Sequence, residues 1–177
     1  MKFTETKIKG AFVVEPEKIR DKRGFFARSW DLKEFKKLGL NSKIAQCSIS
    51  YNKKRGTIRG MHYQIKPFEE AKLVSCVKGK IYDVIVDLRP KSKTFKKWVG
   101  SELSDENYKM HYVPEGCAHG FQTLKNDTVL NYQISQIHKP QYYKGVRWND
   151  SAFNISWPLK PTNISEKDTS YVDFECK

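Results

Sequence analysis

The sequence holds no H-x-H pair of histidines and no C-x-x-C pair of cysteines. A metal site in a small β-barrel needs several neutral imidazoles, usually with a carboxylate, converging on one ion, and a thiolate zinc site needs closely spaced cysteines. His62, His111, His119 and His138 stand singly, and Cys47, Cys76, Cys117 and Cys176 are spread along the chain. No metal or other cofactor is therefore expected, and reduced thiols in the cytoplasm are. No apolar stretch approaches the roughly 20 residues that cross a bilayer. The opening MKFTETKIKGAFVVEPEK lacks the apolar centre of a signal peptide. A soluble chain without membrane contact is the expectation.

Acidic residues are also scarce: 20 Asp and Glu stand against 33 Lys and Arg, a formal charge of +13. Such a balance raises nucleic acid, an anionic membrane or a phosphorylated small ligand as partners. The densest basic runs, YNKKRG and RPKSKTFKKW, are short and flank expected strands, as solvated turns do. A nucleic-acid module would interleave clustered Lys and Arg with aromatics, and only FFARSW and KKWVG come near that. No nucleic-acid partner is expected.

Helix signals, repeats and linkers are few as well. The clearest helix is DLKEFKKLGL, where Asp31 and Glu34 fit a capping box, Leu32, Phe35 and Leu38 share a face, and Gly39 supplies the stop. What the chain does have is Val, Ile, Tyr and Phe in short runs between turn residues, the pattern of antiparallel strands. Strands are expected at about 3–14, 43–50, 57–64, 71–77, 80–88, 94–103, 108–113, 117–124 and 128–135. VKGKIYDVIVDL reads as a hairpin turning at Lys78 and Gly79, with Ile81, Asp83, Ile85 and Asp87 facing opposite to Tyr82, Val84, Val86 and Leu88. One mainly β domain over 1–177 follows, a jelly-roll barrel or sandwich with a loop-rich wrap after about 136.

Two histidines sit in small, glycine-flanked contexts, His62 in RGTIRGMHYQ and His119 in EGCAHGFQ, where backbone can approach a ligand closely. Side chains alternate along a regular strand, so Arg59 and His62 should point to opposite faces. A bulge or kink at Gly60 would bring both into one cavity. His111, between Met110 and Tyr112, could face either way.

In chain order DKRGFFARSW (21–30), RGTIRGMHYQ (55–64), AKLVSCVKGKIYDVIVDLRPKSKTF from 71, LSDENYKMHYVPEGCAHGFQTL from 103, NYQIS from 131, WNDSAFNISWP from 148 and ISEKD from 164 cover nearly the whole chain. Together they resemble the dTDP-4-dehydrorhamnose 3,5-epimerases, metal-free, cupin-like enzymes acting on nucleotide-linked 4-keto-6-deoxyhexoses. The resemblance implies His62 as general base, Asp168 as its charge-stabilising partner, Tyr132 as the acid on the other face and Lys72 beside the C4 oxygen. It implies that Arg59, His119 and Arg23 hold the diphosphate and sugar, that Asp83 pairs with His119, and that Gln46 and Phe26 lie near the nucleotide. It further implies a homodimer, with the segment of Arg23 and Phe26 supplied across the interface. The protons at C3 and C5 flank a carbonyl, so removing either yields an enolate whose charge falls on the ketone oxygen. A base, an oxyanion partner and a second proton donor are what inversion requires.

Three departures from the residues common in that family stand out: Arg28 replaces Glu, Cys47 and Ser48 replace Asp and Asn, and His138 replaces Tyr. The first two bear on which nucleotide is bound. The third bears on whether C3, C5 or both are inverted. A one-carbon epimerase and a non-catalytic binding barrel are the alternatives.

Overall fold

The structure, a computed structural model, describes residues 1–175. Its strands are β1 (Lys2–Glu5), β2 (Phe12–Glu15), β3 (Ile19–Asp21), β4 (Gly24–Phe26), β5 (Gln46–Asn52), β6 (Ile58–Gln64) and β7 (Lys72–Lys78). They continue with β8 (Lys80–Asp87), β9 (Trp98–Ser104), β10 (Met110–Val113), β11 (Cys117–Thr123), β12 (Thr128–Ile134) and β13 (Tyr143–Gly145). Two short helices, α1 (Leu32–Lys37) and α2 (Glu166–Thr169), complete the set with one 3-10 turn at Pro140–Tyr142.

Two antiparallel sheets face each other, ordered β1-β2-β10-β7-β12-β5 and β13-β6-β11-β8-β9, with β3 and β4 as a separate hairpin. Between them Val74, Ile81, Ile85, Leu103, Phe121 and Leu130 form the core, as period-2 alternation requires of inward positions. The opposite face of β8 is buried too. Val84 and Val86 pack with Met61 and Ala118 under Val146, Phe153 and Trp157 of the C-terminal segment. The cupin-like sandwich is thus the fold that the strand spacing and the resemblance indicate.

Helix α1 covers part of the outer face of the six-stranded sheet, burying Phe35 against Val14, Leu73 and Tyr112. That side chain alone is worth about 2–3 kcal/mol of apolar burial. Asp31 caps the helix by accepting from Lys33 and Glu34 N–H, but the second half of the capping box is missing. Glu34 turns to the N-terminal ammonium instead. The two nearby charges attract more strongly than a neutral amide would.

Several strand expectations need correction. The run 3–14 is two strands, because Gly10 at φ 81° and the Thr6 N–H to Ala11 carbonyl bond turn the chain back into a β1–β2 pair. The segment 94–97 is a loop organised by Asp87, which accepts from Arg89, Ser92 and Thr94. Residues 43–45 precede β5 and 108–109 precede β10, while β3, β4 and β13 were too short for their pattern to stand out. The proposed hairpin at Lys78–Gly79 is a corner: β7 pairs with β10 and β12, β8 with β9 and β11, so the chain crosses between sheets. Gly79 permits it at φ 82°, where a Cβ would lie 2.6 Å from Thr128 Oγ1.

Candidate active site

β6 and β11 lie side by side, with His62 opposite His119 and Arg59 opposite Phe121. Four residues of β6, Arg59 to His62, therefore match three of β11, His119 to Phe121, and the register shifts between the pairs. Gly60 sits at the shift with φ 137°, its Gly60–Met61 peptide cis, and an added Cβ there would come 2.5 Å from Gly120 Cα. Arg59 and His62, three positions apart, consequently line the same cavity. This is the irregularity at Gly60 that the spacing of the two side chains calls for.

Asp168 reaches His62 from the far end of the chain. Ser165 caps α2 by accepting from Asp168 N–H, and the carboxylate lies with Oδ1 2.7 Å from His62 Nε2 and Oδ2 3.2 Å from Gly60 N. Burial pushes the Asp168 carboxyl up, but the hydrogen bond and charge of His62, with the Gly60 and Ser165 donors, hold it below its ordinary value. The group is an anion hydrogen-bonded to the ring edge of His62 at Nε2.

The cavity extends between the sheets as a lobe of about 340 Å³ lined by Gln46, Ser48, Lys72, His119, Tyr132 and His138 besides Arg59 and His62. A second lobe of about 340 Å³, toward Asn163 and Lys167, shares Arg59, His62 and Tyr143 with it. Lys72 pairs with buried Glu70 at 2.9 Å and lies 3.4 Å from the His62 carbonyl. Burial, reinforced by the charge of Asp83, holds the Tyr132 phenol well above its usual range, so it keeps its proton. The Tyr132 ring meets His119 edge-on, and His119 Nε2 lies 2.7 Å from Asp83 Oδ2. Arg59 is aimed by Asn52, whose side-chain oxygen accepts from Nε at 2.8 Å. The Gln46 side-chain oxygen accepts from His138 N–H at 2.7 Å, tying β5 to the rim.

Nine of the sequence-derived residues, His62, Lys72, Tyr132, Gln46, Ser48, Arg59, His119, His138 and, behind His62, Asp168, thus meet at one place. Asp83 stands one layer back. Arg23, Phe26 and Arg28 do not reach the cavity of their own chain: Arg23 pairs with Asp21 in the β3–β4 hairpin, Phe26 is 65% exposed, and Arg28 faces Asp31. Two residues escaped the sequence reading: Glu70 is the counter-ion of Lys72, and Tyr143 stands 5.2 Å from the His62 ring. His111, free by its sequence to face either way, points inward and joins Asp83 from the opposite sheet. Only the position of β13 at the edge of β6 reveals Tyr143, since QYYKG has no strand pattern of its own.

No group of His, Cys, Asp and Glu among the described residues has the arrangement of a metal site. Cys47, Cys76 and Cys117 are free thiols, and Cys176 lies outside the described residues. None of the described helices is long and apolar enough to cross a membrane.

An imidazole backed by a carboxylate, a protonated phenol and an ammonium around one cavity of a cupin-like sandwich are the groups that proton-transfer chemistry, such as an isomerase performs, requires. Comparison narrows the class: the family model for dTDP-4-dehydrorhamnose 3,5-epimerase matches residues 5–175. A dTDP-4-dehydrorhamnose 3,5-epimerase of Sinorhizobium fredii is 40% identical over 171 residues, covering 96% of this chain and 88% of the relative. The crystal structure of the Elizabethkingia anophelis epimerase superposes with a TM-score of 0.95 at 39% identity, over 98% of this chain and 96% of that one. The Bacillus anthracis epimerase, solved with TDP and PPi bound, gives 0.93 at 40% identity over 98% and 99%. The chain belongs to the dTDP-4-dehydrorhamnose 3,5-epimerase family.

Proposed function

We propose that this chain inverts C3 and C5 of dTDP-4-dehydro-6-deoxy-D-glucose, giving dTDP-4-dehydro-L-rhamnose. The observation that carries the reading is that His62 and Tyr132 line one cavity. His62 takes the proton from a carbon beside the ketone, with Asp168 stabilising the imidazolium. Lys72 faces the enolate oxygen; electrostatic donors so placed contribute on the order of a hundredfold or more. Tyr132 returns a proton from the other face. Arg59 holds the diphosphate through a guanidinium suited to bidentate phosphate contacts. No redox step is needed, because every atom lost from the sugar is a proton and a proton replaces it.

Two copies of the chain make the working enzyme in this reading. Exposed Ile19, Phe26, Ile49, Tyr51 and Val77 support an apolar contact between protomers, and Arg23, Phe26 and Arg28 then serve the partner's nucleotide site. Buried free thiols at Cys76 and Cys117 support a reducing, cytoplasmic setting. His62→Ala tests the function. It should bind dTDP nearly as the parent does while product formation, followed by NMR, falls to background; undiminished product would remove His62 from the mechanism. A parent enzyme that inverts only one carbon would convert the reading to that of a monoepimerase.

A further inference from the structure

Asp83 divides its carboxylate between the two sheets. Oδ2 faces His119 Nε2 on the neighbouring strand β11 at 2.7 Å, and Oδ1 faces His111 Nδ1 on β10 of the opposite sheet at 2.8 Å. All three side chains are buried, Asp83 and His111 completely. Among the described residues His111 Nε2 has no hydrogen-bond partner. A proton on it would be a buried donor with no acceptor, so the hydrogen bond to Asp83 is best made by a proton on Nδ1. The one hydrogen bond of the His119 ring among the described residues is that to Asp83, and the ring forms part of the cavity wall.

We propose that His111 is a positioning residue of the cavity, acting through Asp83. By occupying one carboxylate oxygen it fixes the carboxylate's orientation and keeps the anion from being committed wholly to His119. His119 thereby faces the ligand as a neutral ring with Nδ1 bare, an acceptor for a sugar hydroxyl and not a cation for the diphosphate. The last clause rests on the epimerase reading for the identity of the ligand; the proton arrangement does not.

The electrostatics run the same way. Burial holds His119 below the usual imidazole range against the pull of Asp83, and Lys72 adds to the lowering. Burial pushes Asp83 up, yet the two imidazoles keep it below the usual carboxylate range. Around His119 stand His62 and Arg59 from β6, Lys72 from β7, Asp83 from β8 and Tyr132 from β12. Cys76, also on β7, lies in the field of Asp83 and holds its proton, burial having pushed its thiol up to about 12.

The test is the nitrogen-15 ring spectrum of the histidines across pH in the ligand-free protein, for the parent, His111→Leu and His111→Asn. The parent should show His111 protonated at Nδ1 alone and His119 at Nε2 alone at neutral pH. In His111→Leu the whole carboxylate charge falls on His119, whose titration should move up by about one unit, tenfold in proton affinity. The asparagine amide can donate where Nδ1–H did, so His111→Asn should return His119 toward the parent value. A proton on His111 Nε2 in the parent, or a His119 titration unmoved by leucine, would overturn the proposal. The parent spectrum and the asparagine variant decide even if the leucine chain does not fold. Since no substrate is present, these results stand apart from turnover: an enzyme with the expected ring spectrum but no epimerisation would sink the function and leave the proton arrangement intact.

Discussion

His62 Nε2 and Asp168 Oδ1 lie 2.7 Å apart although 106 positions separate the two residues. The contact joins the irregular strand β6 to the one-turn helix α2, and the same carboxylate accepts from Gly60 N–H. Asp168→Asn keeps shape but removes the charge that, in the proposed mechanism, steadies the imidazolium. Steady-state kinetics should show kcat lower by about 10²-fold or more, with dTDP affinity little changed. An unchanged kcat would mean the carboxylate only shapes the loop.

Tyr132→Phe separates the two halves of the reaction. In the proposed mechanism His62 can still remove a proton and put one back from its own side, so hydrogen exchange between substrate and solvent should persist while inverted product falls by about 10²-fold. Mass spectrometry of recovered substrate, with NMR of product, checks both. Loss of exchange together with inversion would place the phenol in the first step.

Gly60→Ala should be costly. Its φ of 137° and the 2.5 Å approach of a Cβ to Gly120 Cα leave no room for a methyl group. A loss of about 3 kcal/mol or more is expected in urea unfolding, with activity falling further as Arg59 and His62 lose their common side. A variant as stable and active as the parent would show that the register shift does not need glycine.

Asp87 supplies a pH signature remote from the cavity. Burial raises its carboxyl, but Arg89, Ser92 and Thr94 outweigh that and bring it down to about 2 from 3.8. A folded-state value below the unfolded one contributes stability above the unfolded pKa, lost as pH falls through the folded pKa. The contribution, about 2 kcal/mol, should therefore be full near pH 6 and fade between about pH 4 and 2. Urea midpoints of the parent and Asp87→Asn should converge over that window; a constant gap would contradict the assignment.

Much of this was legible in the residue order. Alternation located most core strands, the three-residue spacing of Arg59 and His62 pointed to a bulge or kink at Gly60, and the resemblance collected the cavity residues. Pairing was not legible at Gly79, because a glycine turn between two alternating runs looks the same whether the strands bond or part company. Nor was the partner of His111, since alternation says that a side chain faces inward or outward but not what waits across the core. Tyr143 depended on a three-residue edge strand with no period to detect. Arg23 and Phe26 belong to a hairpin whose occupied surface, on the dimer reading, is another protomer's.

The account turns on protons leaving and returning beside a ketone at a cavity walled by His62 and Tyr132. Incubation with dTDP-4-dehydro-6-deoxy-D-glucose in deuterated water, followed by NMR of the hexose, measures this directly. Deuterium at both C3 and C5 of an inverted product is the result expected. A sugar recovered with protium at both carbons would contradict it.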